Sequence, residues 1–216
     1  MGILSKLFKV NRIEKISEFF NKLDSSILEI GVHKGEFSEI IFSKFEPKKL
    51  ILVDPWIFEA DPVYKKSLYG ADATLNQENP EDSKILNKQN LQNIYYEKVL
   101  KKFEKQIKKN RVEVIRKKSS EAFKNFQNNF FDMIYIDGNH LYDFVLSDLL
   151  NSLDKIKIDG LIICDDYKND SGWFGDGVTK AINFLKKEKK IKVIDEHNFF
   201  NRHNQCIVKK YDIWCG

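Results

Sequence analysis

Residues 131–167 read FDMIYIDGNHLYDFVLSDLLNSLDKIKIDGLIICDDY, and this stretch decides the fold. Met133 to Ile136 is a short apolar run that stops at Asp137, and Leu161 to Cys164 is a second that stops at Asp165 and Asp166. Between them Leu141, Phe144, Val145, Leu149, Leu150, Leu153 and Ile156 recur at three-and-four spacing, which predicts a helix with one buried face. Strand, helix and strand in that order make a βαβ unit, whose two strands must run parallel. Open parallel sheets bind ligands beyond the carboxyl ends of their strands, and three carboxylates are expected at that place.

Upstream, residues 25–56 (SSILEIGVHKGEFSEIIFSKFEPKKLILVDPW) repeat the alternation. A strand over Ile27 to Ile30 is followed by a turn bracketed by Gly31 and Gly35, a helix from Glu36 to Phe45, and a strand over Leu50 to Val53 that ends at Asp54. Glycines serve where a strand turns straight into a helix, because the chain visits positive φ and a ligand must approach the backbone. The amino end of such a helix offers unpaired N–H groups to an anion. Asp54 lies 23 residues after Gly31, near the distance at which an acid reaches the ribose in nucleotide-binding α/β folds. An ordinary tight βα connection is the plainer reading of the turn, and His33 within it reads as a helix-start or cofactor-edge residue.

Ile3 to Leu23 reads as an amphipathic helical cap, with Leu7, Ile13, Ile16, Phe19, Phe20 and Leu23 inward. Residues 56–110 are too long for a simple crossover. They combine a Tyr-rich, turn-rich part (Asp61 to Asp82) with helical periodicity through Leu91, Ile94, Tyr95, Val99, Phe103 and Ile107, and read as a lid or as a surface excursion. Val112 to Ile115 is a third strand, after which Lys118 and Ser119 are expected near a bound base. A loop holding Gly172, Trp173, Phe174, Gly175 and Gly177 leads to a helix over Val178 to Lys187. Two final strands follow, Ile191 to Asp195 and Cys206 to Lys209, joined through Asn198 to Asn204 with His197 and His203 nearby. Seven strands alternate with helices in one domain of 216 residues, without repeat or linker.

Composition narrows the classes of function. A net charge of +4 is too mild to argue for nucleic acid. The excess is local: Lys101 to Lys118 carries nine Lys or Arg against Glu104 and Glu113, a solvated helix face or a docking patch for phosphates or acidic lipid. The 3 cysteines, Cys164, Cys206 and Cys215, suggest neither a disulfide framework nor a zinc knuckle, and point to a reducing compartment. The opening MGILSKLFKV lacks the marks of an export signal and, with Lys6 at the sixth position, of myristoylation. No run approaches the length of a membrane span. The expectation is a cytoplasmic protein, with the N-terminus the one candidate contact for a membrane surface. Self-association stays open.

The carboxylates permit specific chemistry. Adjacent strands lie about 4.8 Å apart, so Asp137 and Asp165 on neighbouring strands could share one ion with Asp166. Oxygen donors without thiols suit Mg²⁺, Ca²⁺ or Mn²⁺. Otherwise Asp165 or Asp166 merely caps a loop. His140, three residues beyond Asp137, could accept a proton at neutral pH, with Asn139 to orient it, although a lone His is more commonly structural. Trp173 and Phe174 read as an apolar wall or as buried loop anchors.

With these segments in hand, the chain resembles class I S-adenosylmethionine-dependent methyltransferases, and specifically the macrocin-type sugar O-methyltransferase group. The resemblance rests on LEIGVHKGEFS, LILVDPW, FDMIYIDGNHLYDFVLSDL, and GLIICDDY followed by GVTKAINFL. It implies a Rossmann-like α/β fold, with a seven-stranded, mostly parallel sheet, helices on both faces and a helical insertion after the second strand. It implies S-adenosylmethionine held by Glu29, Gly31 and Gly35, with Asp54 on the ribose. It implies a divalent cation such as Mg²⁺ on Asp137, Asp165 and Asp166, with His140 where some relatives have a proposed catalytic histidine. Other relatives carry Asp at the Asn139 position, which moves the expected base role to His140. The expected substrate is a small hydroxylated molecule, sugar-like, with a phosphorylated glycan precursor among the candidates.

Overall fold

A computed structural model describes residues 12–72, 87–169, 173–197 and 204–211. Leu7, residues 73–82 of the Tyr-rich segment, Gly172, residues 198–203 of the last connection and Cys215 lie outside the described residues. Strands β1 (Ser26–Ile30), β2 (Lys49–Val53), β3 (Val112–Ile115), β4 (Phe131–Ile136), β5 (Ile156–Cys164), β6 (Ile191–His197) and β7 (Gln205–Lys210) form one sheet in the order β3-β2-β1-β4-β5-β7-β6. Neighbours from β3 to β5 pair parallel, and β7 runs antiparallel to both β5 and β6. The expected seven-stranded, mostly parallel α/β sheet is therefore what forms.

Each parallel strand is apolar on both faces because each face carries helices. On one side Leu28, Ile30, Ile134, Ile136 and Ile162 pack under helices Tyr142–Lys155 and Gly177–Lys187, through Val145, Leu149, Val178 and Leu185. On the other, Ile27, Leu52, Met133, Tyr135 and Ile163 meet Ile13, Ile16, Phe37, Ile41, Leu91 and Tyr95. Each fully buried aliphatic or aromatic side chain contributes about 1.5–3 kcal/mol.

Two expected faces come out rotated. Residues 12–19 are helical and bury Ile13, Ile16 and the following Phe20, whereas Phe19 and Leu23 stand exposed. In helix Tyr142–Lys155, Phe144 and Leu150 face solvent while Asp148 and Ser152 are buried, and Ile156 has already become the first residue of β5. The three-and-four rule accepts either of two neighbouring stripes, and packing chose the one with polar members. Within residues 56–110, helix Lys88–Lys102 buries Leu91, Tyr95 and Val99 against the sheet side, so this half is the crossover helix between β2 and β3.

Candidate active site

Strand order reverses between β1 and β4, and the crevice beyond their carboxyl ends is the place where this sheet type binds ligands. Residues just past each strand hook onto the neighbouring strand. Gly31 N donates to Val53 O at 2.9 Å, Asp137 N to Ile30 O at 2.8 Å, and Asp165 N to Ile136 O at 3.0 Å. Three of the expected acids, Asp54, Asp137 and Asp165, are thereby held in one row at the mouth of the sheet, since Asp54 N donates to Ile115 O at 3.2 Å.

Gly31 and Gly35 both take positive φ, as does His33 between them. A Cβ on Gly31 would stand 2.0 Å from the Asp137 carbonyl oxygen, so the missing side chain makes room for the loop after β4. Gly35 caps helix Glu36–Phe45 without a side-chain bond, which leaves the helix amino end open to an anionic ligand. Asp54 braces this turn: Oδ2 accepts from Val32 N and His33 N at 2.9 Å each, and Oδ1 from Trp56 N at 2.7 Å. Burial raises its pKa even against those three bonds. A carboxylate has about four acceptor positions, so Asp54 can brace the turn and still receive a ribose hydroxyl. Glu29, fully buried behind the turn, is pushed up to about 8 by burial, opposed by Ser38 and reinforced by Asp137 and Asp54. Ser119 opens the short helix Ser119–Ala122 and pairs with the buried Asp148 carboxyl.

Around the second half-site, Asp137, His140 and Asp166 place one donor atom each within 4.8 Å of one another. His140 Nε2 lies 3.5 Å from Asp137 Oδ1, and Nδ1 lies 3.8 Å from Asp166 Oδ2. Burial, followed by repulsion from Asp165, pushes Asp137 up to about 7. Burial lowers the His140 pKa, but Asp137, Asp166 and Asp165 outweigh it and the net shift is upward. Asp165 lies outside this cluster. It forms a buried ion pair with Arg12 of the N-terminal helix. Tyr135 joins the same network, accepting from Gln205 at 2.7 Å. Among the described residues the cluster holds two of the three expected aspartates, Asp137 and Asp166, together with His140.

The long connection after β2 reaches this cluster. Asn139 accepts from Leu141 N at 3.0 Å and donates through Nδ2 to the Tyr64 hydroxyl at 3.2 Å. The Tyr64 ring contacts Tyr69 and Trp173, both at 5.6 Å between centroids. Trp173 contacts Phe174 at 5.7 Å, and Phe174 packs on His140 at 4.7 Å. Arg12, Tyr64, Tyr69 and Asp148 escape sequence reading. Only Asp148 left a signal, as a lone acid within an otherwise apolar helical stripe.

The comparisons agree with this architecture. A family described as "Methyltransferase domain" matches residues 28–167. A candidate methyltransferase from Streptococcus mutans, solved in complex with SAH, is 15% identical, covering 92% of this chain and 97% of that one with a TM-score of 0.58. A SAM-dependent methyltransferase from Aquifex aeolicus is 13% identical, covering 90% and 87% with a TM-score of 0.56. A TehB-like SAM-dependent methyltransferase from Corynebacterium glutamicum is 12% identical, covering 94% and 86% with a TM-score of 0.56. At such identities the likeness concerns the fold, which is that of class I methyltransferases. No curated protein matches the chain. The family match runs from β1, through the glycine turn and Asp137, to the residues just past β5, and by it the chain belongs to the methyltransferase domain family.

Proposed function

We propose that the protein transfers a methyl group from S-adenosylmethionine to a hydroxyl of a sugar or glycan precursor, assisted by a divalent cation such as Mg²⁺ or Mn²⁺. One observation carries this reading: the glycine turn and the Asp137, His140, Asp166 cluster are in backbone contact at the switch point, so a donor on one side faces an acceptor on the other. The helix amino end suits the methionine carboxylate, Asp54 the ribose, and Ser119 the base edge.

The donor set fits a cation. The carboxylates of Asp137 and Asp166 converge beside His140 and would hold the cation, which leaves the imidazole to act as the base. Oxygen donors suit Mn²⁺ and Mg²⁺ alike. When bound, the cation would orient the acceptor and lower the pKa of its hydroxyl. The chain's own residues supply the rest. With the cation on the two carboxylates, Asp137 and Asp166 carry the compensating charge, and His140, outside the ligand set, accepts the hydroxyl proton as an imidazolium that they stabilise. The new C–O bond forms as the S–C bond breaks, and Phe174 shields the imidazole from water.

The test is a pair of calorimetric titrations on wild type and Asp166→Asn, with Mn²⁺ and with SAH. Loss of Mn²⁺ affinity by about tenfold or more, with SAH affinity held within about twofold, is expected. Methyl transfer to hydroxylated acceptors should stop in chelator. The buried Arg12–Asp165 pair favours a second reading, in which the acids orient substrate with no cation, and undiminished turnover in chelator would establish it. Methylation confined to nitrogen or carboxylate would sink the hydroxyl assignment.

A further inference from the structure

Tyr64, Tyr69, Trp173 and Phe174 come from two separate segments, yet make one continuous aromatic surface ending on His140. Core packing does not explain it, because Tyr69, Trp173 and Phe174 are only half-buried. The surface also contains an unmet polar need. The Tyr69 hydroxyl is enclosed but has no hydrogen-bond partner among the described residues, a state that costs about 1–3 kcal/mol unless a ligand supplies one. Burial, with Tyr64, Asp54 and Glu59 adding, raises its pKa, so it stays a neutral donor.

Ring orientation limits the ligand. Tyr69 and Trp173 meet at 88°, Trp173 and Phe174 at 84°, and Tyr64 and Trp173 at 72°. Tyr64 and Tyr69 are tilted at 51° and His140 and Phe174 at 45°, so no two of the paired rings stand parallel. They give no parallel slot to clamp a flat aromatic from both sides. One open π-face takes the slightly positive C–H groups of a saturated ring, while hydroxyl groups around that ring need polar partners at the border. The border has them in the hydroxyls of Tyr64 and Tyr69 and, beyond Phe174, in the Asp137, His140 and Asp166 cluster. Ligand sites usually have this composition, an apolar lining with a few placed polar groups.

We propose that this surface is the acceptor platform, and that it seats a pyranose ring with its C–H face on Trp173 and a hydroxyl-bearing edge toward Asp137 and His140. Tyr64, tied to Asn139, sets the position of the platform relative to that cluster, and Tyr69 selects for a hydroxyl that satisfies its own. The inference rests on the hydroxyl-methylating reading above and names the residues that choose the acceptor.

Full-length protein saturated with SAH and Mn²⁺ is probed by saturation-transfer NMR with a panel of methyl pyranosides, with tetramethylammonium and catechol as comparison ligands. At least one pyranoside should receive saturation at its ring C–H protons. Trp173→Ala and Tyr69→Phe should each weaken that ligand about tenfold or more, Trp173→Phe should restore part of the binding, and SAH affinity should stay unchanged in all three. The proposal is overturned by an unaltered signal in Trp173→Ala, by a panel in which no pyranoside binds, or by Trp173-dependent binding of tetramethylammonium or catechol alone. A pyranoside that binds through Trp173 but is never methylated, by mass spectrometry of reactions with S-adenosylmethionine, leaves the platform standing and removes the sugar-methylating reading instead.

Discussion

Asp148 sits in the buried face of helix Tyr142–Lys155, between Val145, Leu149 and Ser152. Burial pushes its carboxyl up to about 6, and the Ser119 hydroxyl only partly opposes this. The folded chain therefore holds the proton that the unfolded chain, at an ordinary 3.8, gives up. Below about pH 4 both states are protonated and the site is neutral in its effect. Between about pH 4 and 6 stability falls as pH rises, by up to about 3 kcal/mol, and above that it stays level. Asp148→Asn keeps an acceptor for Ser119 and has no proton to lose. Its melting temperature should match wild type near pH 4 and exceed it at pH 7 and above. Equal melting temperatures at both pH values would show that Asp148 ionises without cost. Because Ser119 opens the segment expected beside the cofactor base, SAH affinity measured at the same two pH values reports whether the pair also holds that segment in place.

At the scale of elements, the first turn after β1 and the loop after β4 depend on each other. Gly31 has φ 86, and a methyl group there would meet Asp137 O at 2.0 Å, Asp137 C at 2.4 Å and Gly138 Cα at 2.7 Å. These are backbone atoms, so no rotamer change relieves the clash. Gly31→Ala should therefore destabilise the fold by about 3 kcal/mol or more, and should lower both SAH and Mn²⁺ affinity, because the same displacement moves both half-sites. A variant that loses SAH affinity alone would mean that the two elements yield independently. Gly35→Ala gives the control: its Cβ would touch Val99 Cγ2 at 3.0 Å, a side chain that can shift, so the effect should be smaller. The need for glycine at position 31 was legible in the sequence, but its cause was only half legible. Close approach of a ligand was expected, and close approach of Asp137 and Gly138 was invisible because it needs the β1–β4 register. The inner parallel strands, and the acids that end β2, β4 and β5, could be read from apolar runs, since both faces of a parallel sheet demand them. The choice between Asp165 and His140 in the cluster could not. It turns on Arg12, a contact across 153 residues that no local pattern encodes.

On the scale of the whole molecule, that contact ties the N-terminal helix to the catalytic end of the sheet. Arg12 is nearly fully buried, pairs with Asp165, and lies over the Phe37 ring at 4.7 Å, while Ile13, Ile16 and Phe20 beside it seal one face of the core. Burial alone would lower the guanidinium pKa, but Asp165, Tyr135 and Asp137 drive it upward, so the charge persists. Removing one member of such a pair strands the other in a low-dielectric site, which typically costs 3–5 kcal/mol, whereas removing both is far milder. Arg12→Met should therefore lower stability by about that amount, and Arg12→Met with Asp165→Asn should recover most of it. Urea denaturation of the four proteins closes the cycle, with a coupling of about 2 kcal/mol or more expected, and additive losses would show that the pair is incidental to the fold. Hydrogen exchange locates the effect. In the single variant protection should fall first in residues 12–20 and then in helix Glu36–Phe45, on which they pack, while β5 to β7 keep theirs. If β5 loosened instead, the pair would serve to anchor the Asp165–Asp166 corner, and the N-terminal helix would be held by its apolar face alone.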